Sequence, residues 1–313
     1  MRRCIELAKL GAGSVSTNPM VGAVAVYNGK IIGEGFHKKF GEAHAEVNAI
    51  NSVRNPELLP KSEIYVSLEP CAHFGKTPPC ADLIIEKGIK KVYVGCLDPF
   101  LKVDGKGIQK LRNAGVEVIT GILEKECQDL NRRFFTFVNL KRPYVILKWA
   151  QSLDGFLDKD FLPVKISSPL SNVLNHKWRS EEDAVLVGKT TAERDKPRLD
   201  NRLWSGKSPV RVILDKNGGD STLASALTMK ETVAAEILKT LYDNHIQSVI
   251  VEGGAKTHRL FLESGLWDEI RVFQSQKMLF NGTKAAQFQG ELVENIKISD
   301  DRLLIFRKNQ YLS

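Results

Sequence analysis

The chain is 313 residues long with 42% hydrophobic and 26% charged residues, the proportions of an ordinary globular protein and a length that suggests two domains. No apolar run reaches the roughly 18 residues that a membrane-spanning helix needs, and Met1-Arg2-Arg3-Cys4-Ile5-Glu6 lacks the apolar centre of a signal segment, so a cytoplasmic protein with no membrane partner is expected. The net charge of +8 suits an anionic ligand or a solvated basic surface, and the basic residues form no tail.

Residues 2–12 read as a helix. Val21–Tyr27 and Lys30–Phe36 read as a hairpin, because Asn28-Gly29 favours a type I′ turn. A helix over Ala43–Val53, a strand over Glu63–Leu68, a helix over Cys80–Lys87 and a strand over Lys91–Leu97 follow. The pattern then gives a helix over Gly105–Ala114 with Gly115 past its end, and a strand over Val116–Thr120. Lys141-Arg142-Pro143 marks a boundary, since proline breaks the pattern and a fresh strand, Tyr144–Trp149, begins. Strands at Ala184–Val187, Val210–Leu214, Ser248–Val251 and Glu269–Gln274 alternate with helices at Thr232–Asn244 and from Gly253-Gly254 to Ser264. Such alternation implies α/β architecture, with helices covering a parallel or mixed sheet.

Five cysteines are present, and an odd count argues against a disulfide framework. Cys4, Cys96 and Cys127 lie in apolar or helical stretches and read as buried residues. Cys71 and Cys80 stand among Pro and Gly. With His44 they offer three zinc ligands and leave a fourth position open for water, as a catalytic site requires. Pro79 suits the first turn of a helix, which places Cys80 near a helix N-terminus, where thiolate is favoured. Glu46, two residues after His44, is the candidate general acid/base, taking a proton from water and delivering it to a ring nitrogen and a departing amine. Base deaminases carry H-x-E with P-C-x-x-C. Here the first half fits, and eight residues separate Cys71 from Cys80.

Asn18-Pro19-Met20-Val21-Gly22, His44-Ala45-Glu46 and the run from Leu68 to Cys80 resemble the bifunctional deaminase–reductase family of riboflavin biosynthesis. The resemblance covers nearly the whole chain. It implies a cytidine-deaminase-like three-layer α/β domain over residues 1–141 and a dihydrofolate-reductase-like α/β domain over 142–313. It implies zinc and NADPH as cofactors, and a small phosphorylated pyrimidine as substrate: a diaminopyrimidinone carrying a phosphoribosylamino group, first deaminated and then reduced from ribosyl to ribityl. Asn18, His73 and Lys76 would contact that substrate in the first domain. The family's Asp-Pro-Asn-Pro is Asp98-Pro99-Phe100-Leu101 here, so an aromatic ring replaces an amide.

In the second half, Lys148 to Gly155, Trp178-Arg179-Ser180, Asp183 to Gly188, Thr191 to Arg202 and Val251 to Ala255 match the family's reductase. By resemblance Arg179, Leu199, Arg202 and Glu252 would bind substrate, and Gln151, Lys165, Thr191, Asp195, Gly253, Gly254 and Ala255 would bind cofactor. Arg forks suit phosphate, and a strand leading through Gly-Gly into a helix offers free N–H groups to a diphosphate. Pro163 and Lys165 depart from the family's Ser and Trp, and the stretch from Asp215 to Glu231 is short, so a strand beside the cofactor would be missing. Two alternatives stand beside this reading: a deaminase with an inactive second half, and a nucleic-acid base deaminase. The latter needs aromatic residues interleaved with clustered Lys and Arg, which are not found near Cys71–Cys80, so no nucleic-acid partner is expected. A homo-oligomer, dimer or tetramer, is expected.

Overall fold

A computed structural model describes residues 1–72, 78–99, 105–218 and 226–308. The chain divides into two compact units, Met1–Leu140 and Lys141–Ser313. The first contains, in order, α1 (Arg2–Lys9), β1 (Gly22–Tyr27), β2 (Lys30–Phe36), α2 (Ala45–Asn51), a 3-10 turn (Pro56–Lys61), β3 (Glu63–Leu68), α3 (Cys80–Glu86), β4 (Lys91–Cys96), α4 (Lys106–Asn113), β5 (Glu117–Ile119), α5 (Glu124–Leu130) and α6 (Arg132–Leu140). Among the described residues its sheet runs β2-β1-β3-β4-β5. The hairpin and the β1–β3 pair are antiparallel, and β3–β4 and β4–β5 are parallel.

Strand alternation sorts the side chains to two faces. Ala23, Ala25, Ile64, Val66, Val92 and Val94 pack with α2, α3 and α4 through Ala49, Ile84 and Leu111. Val24 meets Cys4 and Leu7 of α1, while Leu68 and Cys96 meet Cys127 of α5. The result is helix, sheet, helix, as expected for a cytidine-deaminase-like layer. Cys4, Cys96 and Cys127 are buried thiols. Helix α1 stops at Lys9 and turns fill residues 10–18, so the expected helix over 2–12 is shorter.

The second unit contains β6 (Tyr144–Gln151), α7 (Pro169–Glu181), β7 (Ala184–Gly188), α8 (Lys189–Asp195), β8 (Val210–Leu214), β9 (Leu227–Met229), α9 (Ala234–Asp243), β10 (Ser248–Val251), α10 (Ala255–Glu263), β11 (Glu269–Gln274), β12 (Glu291–Ile298) and β13 (Asp301–Arg307). Its sheet runs β12-β13-β11-β6-β10-β7-β8-β9. Strands from β11 to β9 are parallel, and β13 and β12 add antiparallel. The central strands β7 and β10 are buried on both faces, as helices on both sides of a parallel sheet require. Helices α9 and α10 cover one face through Ile237, Leu238, Leu241 and Phe261. Helices α7 and α8 cover the other through Trp178 and Ala192. The short stretch after Asp215 does supply a strand: β9 pairs with β8 at the sheet edge.

Candidate active sites

His44 ends the loop before α2 and is its N-cap, with Glu46 in the first turn. Cys71 lies on the exit from β3, and Cys80 is the first residue of α3, behind Pro79 as N-cap. Three distant segments thereby converge. His44 Nδ1 stands 3.5 Å from Cys71 Sγ and 3.3 Å from Cys80 Sγ, and all three donor atoms lie within 4.8 Å of one another. Bonds of about 2.0–2.3 Å at tetrahedral angles put imidazole and thiolate donors about 3.5 Å apart, so the residues fit zinc. Among the described residues no fourth protein ligand joins them. The backbone N–H of Cys80 donates to Cys71 Sγ at 3.3 Å. The two thiols split: hydrogen bonds from Cys80 and His44 hold Cys71 well below the usual thiol value, while the bond with Cys71 and burial push Cys80 well above it, against the expectation that the helix start favours thiolate there.

Glu46 is 3% exposed. Burial raises its carboxyl to about 7, with the neighbouring Cys71 charge adding to the rise. Asn18 is also brought here. Its Nδ2 meets His37 Nε2 at 3.2 Å, while His37 Nδ1 meets the Ala43 carbonyl at 3.2 Å. That carbonyl accepts, so Nδ1 carries the proton and Nε2 accepts from Asn18. His37 is buried and stands edge-on to His44, with ring centroids 5.4 Å apart. Sequence reasoning missed His37; its place one residue after β2 (Lys30–Phe36) and seven before His44 was the available signal. His73, Lys76 and Phe100 lie outside the described residues.

In the second unit a charged cluster forms at the carboxyl ends of β6 and β10, the edge where open α/β sheets bind ligands. Glu252 directly follows β10. It accepts two parallel bonds from Arg179 of α7, Nε to Oε1 and the other amino group to Oε2, both 2.7 Å. Lys148 Nζ of β6 lies 3.7 Å from Oε2, and Asn175 Nδ2 donates to the same oxygen at 3.4 Å. Burial alone would raise the Glu252 carboxyl; Arg179 and Lys148 overcome that and hold it at about 2. Arg179 also donates to the Asp200 carbonyl at 2.9 Å. Lys148 therefore pairs with Glu252. Asp154, further along, accepts from Ser152 Oγ at 2.6 Å and from the N–H groups of Leu279 and Phe280.

The Gly-Gly turn has a distinct reason at each position. A Cβ on Gly253 would stand 2.7 Å from Val187 Cα and Cβ, so glycine lets β10 exit against β7. Gly254 has φ +60 and precedes Ala255, the first residue of α10. The Thr191 hydroxyl oxygen faces it, 3.0 Å from where a Cβ would stand. This exposed backbone at a helix start, with a hydroxyl beside it, fits a dinucleotide phosphate. Asp195 ends α8 and accepts from Arg194 at 3.0 Å. Gln151 ends β6 and accepts from Trp149 Nε1 at 2.8 Å. Leu199 is buried at φ +52. Arg202 is exposed and donates to Asp200 at 2.5 Å. Lys165 is exposed, and its carbonyl accepts from Lys277.

Similar proteins bear on both units. The cytidine and deoxycytidylate deaminase zinc-binding region matches residues 1–96, and the RibD C-terminal domain matches residues 143–306. The riboflavin biosynthesis protein RibD of Aquifex aeolicus is 41% identical over 90% of this chain and 87% of its own length. That of Bacillus amyloliquefaciens is 39% identical over 95% and 89%. A Thermotoga maritima structure described as a diaminohydroxyphosphoribosylaminopyrimidine deaminase/5-amino-6-(5-phosphoribosylamino)uracil reductase superposes with a TM-score of 0.91 at 38% identity, covering 99% of this chain and 97% of that one. RibD of Acinetobacter baumannii gives 0.87 at 32% identity over 98% and 97%.

Proposed function

The chain belongs to the RibD family of riboflavin biosynthesis enzymes, and from that premise we propose which residues perform its two reactions and on what substrate. It is a zinc-dependent deaminase joined to an NADPH-dependent reductase. We assign deamination to residues 1–141 and reduction to 142–313. The observation that carries the first assignment is the convergence of His44 Nδ1, Cys71 Sγ and Cys80 Sγ beside the buried Glu46. The substrate is the one named for the Thermotoga relative, a diaminopyrimidine bearing a phosphoribosylamino group.

His44, Cys71 and Cys80 would hold zinc, which when bound supplies a Lewis acid that makes water nucleophilic at neutral pH. Glu46 takes one proton from the attacking water and gives it to the ring nitrogen, then takes the second from the new hydroxyl on the ring carbon and gives it to the amine, which leaves as ammonia while oxygen stays on the ring. Asn18, with His73 and Lys76, holds the substrate, and His37 fixes the Asn18 amide so that its oxygen is presented as an acceptor.

NADPH supplies hydride to the opened ribose when bound. Two basic side chains, Lys148 and Arg179, gather on the Glu252 carboxylate beside the site proposed for the anionic substrate. Arg179, with three donor contacts already made, holds Glu252 in place. Arg202, at the surface, is the fork for the substrate phosphate, and Leu199 flanks it. Gln151, Lys165, Thr191, Asp195, Gly253, Gly254 and Ala255 line the cofactor. The protein acts in the cytoplasm as a dimer or tetramer and has no nucleic-acid partner. The test is to supply the diaminopyrimidine substrate, zinc and NADPH, and to follow ammonia release and NADPH absorbance together. Glu46→Gln is expected to stop both by about 10²–10⁴-fold while retaining zinc. Ammonia without NADPH oxidation would overturn the reductase assignment, and no ammonia from zinc-loaded protein would overturn the deaminase assignment.

A further inference from the structure

We infer that Glu69 is a positioning residue of the metal centre: its buried carboxylate fixes the backbone that carries Cys71 to the first turn of α4. The inference rests on the zinc reading above. Glu69 immediately follows β3, and its N–H donates to the Cys96 carbonyl at 3.0 Å, adding one rung to the β3–β4 ladder. The side chain is 4% exposed. Oε1 accepts from the N–H groups of Gly107 at 2.9 Å and Ile108 at 3.3 Å. Oε2 accepts from those of Gly105 at 3.0 Å and Asp98 at 3.4 Å.

Three of these donors belong to the start of α4, where the first N–H groups have no partner within the helix and negative charge is favoured. The N-cap residue of α4 is Gly105, at φ +78 and without a side chain to cap with. Glu69 therefore caps α4 from just past the end of β3, 36 residues before Gly105. The same carboxylate ties Asp98, just past β4, to the start of α4.

The link to Cys71 is short and stiff. A Cβ on Gly107 would overlap the Pro70 carbonyl oxygen, so the first turn of α4 lies directly on the peptide between Glu69 and Cys71. Pro70 fixes its own φ. Beyond it the Cys71 carbonyl accepts from Ala81 N at 3.1 Å and the thiol accepts from Cys80 N. Glu69-Pro70-Cys71 is thus gripped at one end by α4 and at the other by α3. With so little slack, displacing the carboxylate displaces the thiol.

Glu69→Gln keeps the shape but turns an amino group toward backbone N–H donors. Glu69→Asp keeps the charge and shortens the reach, and serves where the Gln variant folds poorly. Partners behind metal ligands typically change affinity by about 10–100-fold. We expect zinc affinity, read by competition with a chromophoric chelator, to fall in that range in the Gln variant, with the Asp variant between. The cobalt(II)-substituted protein should also show a shifted ligand-field absorption, which loss of stability alone would not produce. Reductase turnover on the deaminated substrate should stay within about twofold. If the parent binds no zinc, or Cys71→Ser keeps a full equivalent, the zinc reading itself fails. If the parent binds zinc through Cys71 while both Glu69 variants keep the parental affinity and cobalt spectrum, the positioning role alone is overturned.

Discussion

Replacing Glu252 by Gln removes the carboxylate that pairs with Arg179 and Lys148 in the reductase cluster. The two cations are themselves nearly buried, with side chains 10% and 13% exposed, so water cannot take over the lost partner. The magnitude follows from the carboxyl's own proton affinity. It falls from an ordinary 4.5 to about 2, which corresponds to about 3 kcal/mol at 1.36 kcal/mol per tenfold. That agrees with the 3–5 kcal/mol typical of breaking a buried pair by removing one partner. Because the folded carboxyl is the more acidic, this stability is fully present above about pH 4.5 and is lost as pH falls toward 2. At pH 7 the variant should lose all of it. For a unit of this size about 3 kcal/mol lowers the melting temperature by about 6–12 °C. The assay is intrinsic fluorescence, since the four tryptophans, Trp149, Trp178, Trp204 and Trp267, all lie in the second unit. Arg179→Met should cost less in the Glu252→Gln background than in the parent, by about 1–3 kcal/mol. A melting temperature within about 2 °C of the parent, or strict additivity of the two changes, would refute the reasoning.

Cys80→Ser should reduce bound zinc well below one equivalent and stop ammonia release, with NADPH oxidation on the deaminated substrate retained; metal analysis beside both assays checks it. His258 of α10 is 2% exposed and bonds the Val251 carbonyl at 3.1 Å, and burial lowers its pKa to about 4. A histidine held neutral stabilises the fold above its unfolded value of about 6.5, and that contribution is lost as pH falls to about 4. The fluorescence melting temperature should therefore drop between those pH values, and His258→Gln should flatten that part of the profile.

The sequence carried the metal site because its ligands sit beside local signals: Pro79 before Cys80, and Glu46 in the first turn after His44. The β1–β2 hairpin was legible from Asn28-Gly29, the buried strands β7, β10 and β11 from their apolar runs, and β8 from its apolar Val212-Ile213-Leu214 although Val210 is exposed. Helices α5 and α8 were not, since Glu124–Leu130 and Lys189–Asp195 are mainly polar, with little apolar periodicity. Helix α7 did carry a start signal, Ser168 as a capping side chain and Pro169 in the first turn. Strand β12 is exposed along nearly its whole length, so no face imposes alternation on Glu291–Ile298. Contacts that span the sequence leave no local trace. Glu252 finds Arg179 at a separation of 73 residues, and Glu69 acts through backbone donors that every residue type offers.

The strand order also sets a timetable for synthesis. Every strand of the first sheet comes from residues 22–119, so that unit can close while the ribosome is still making the second. Strand β6, the first of the second unit, has β10 and β11 as its neighbours, and these begin at Ser248 and Glu269. Its apolar faces therefore wait for about a hundred further residues, roughly 5–20 s at typical elongation rates. During that interval the nascent chain presents a closed first unit followed by an unpaired, hydrophobic strand, Tyr144–Gln151, open to capture by a chaperone.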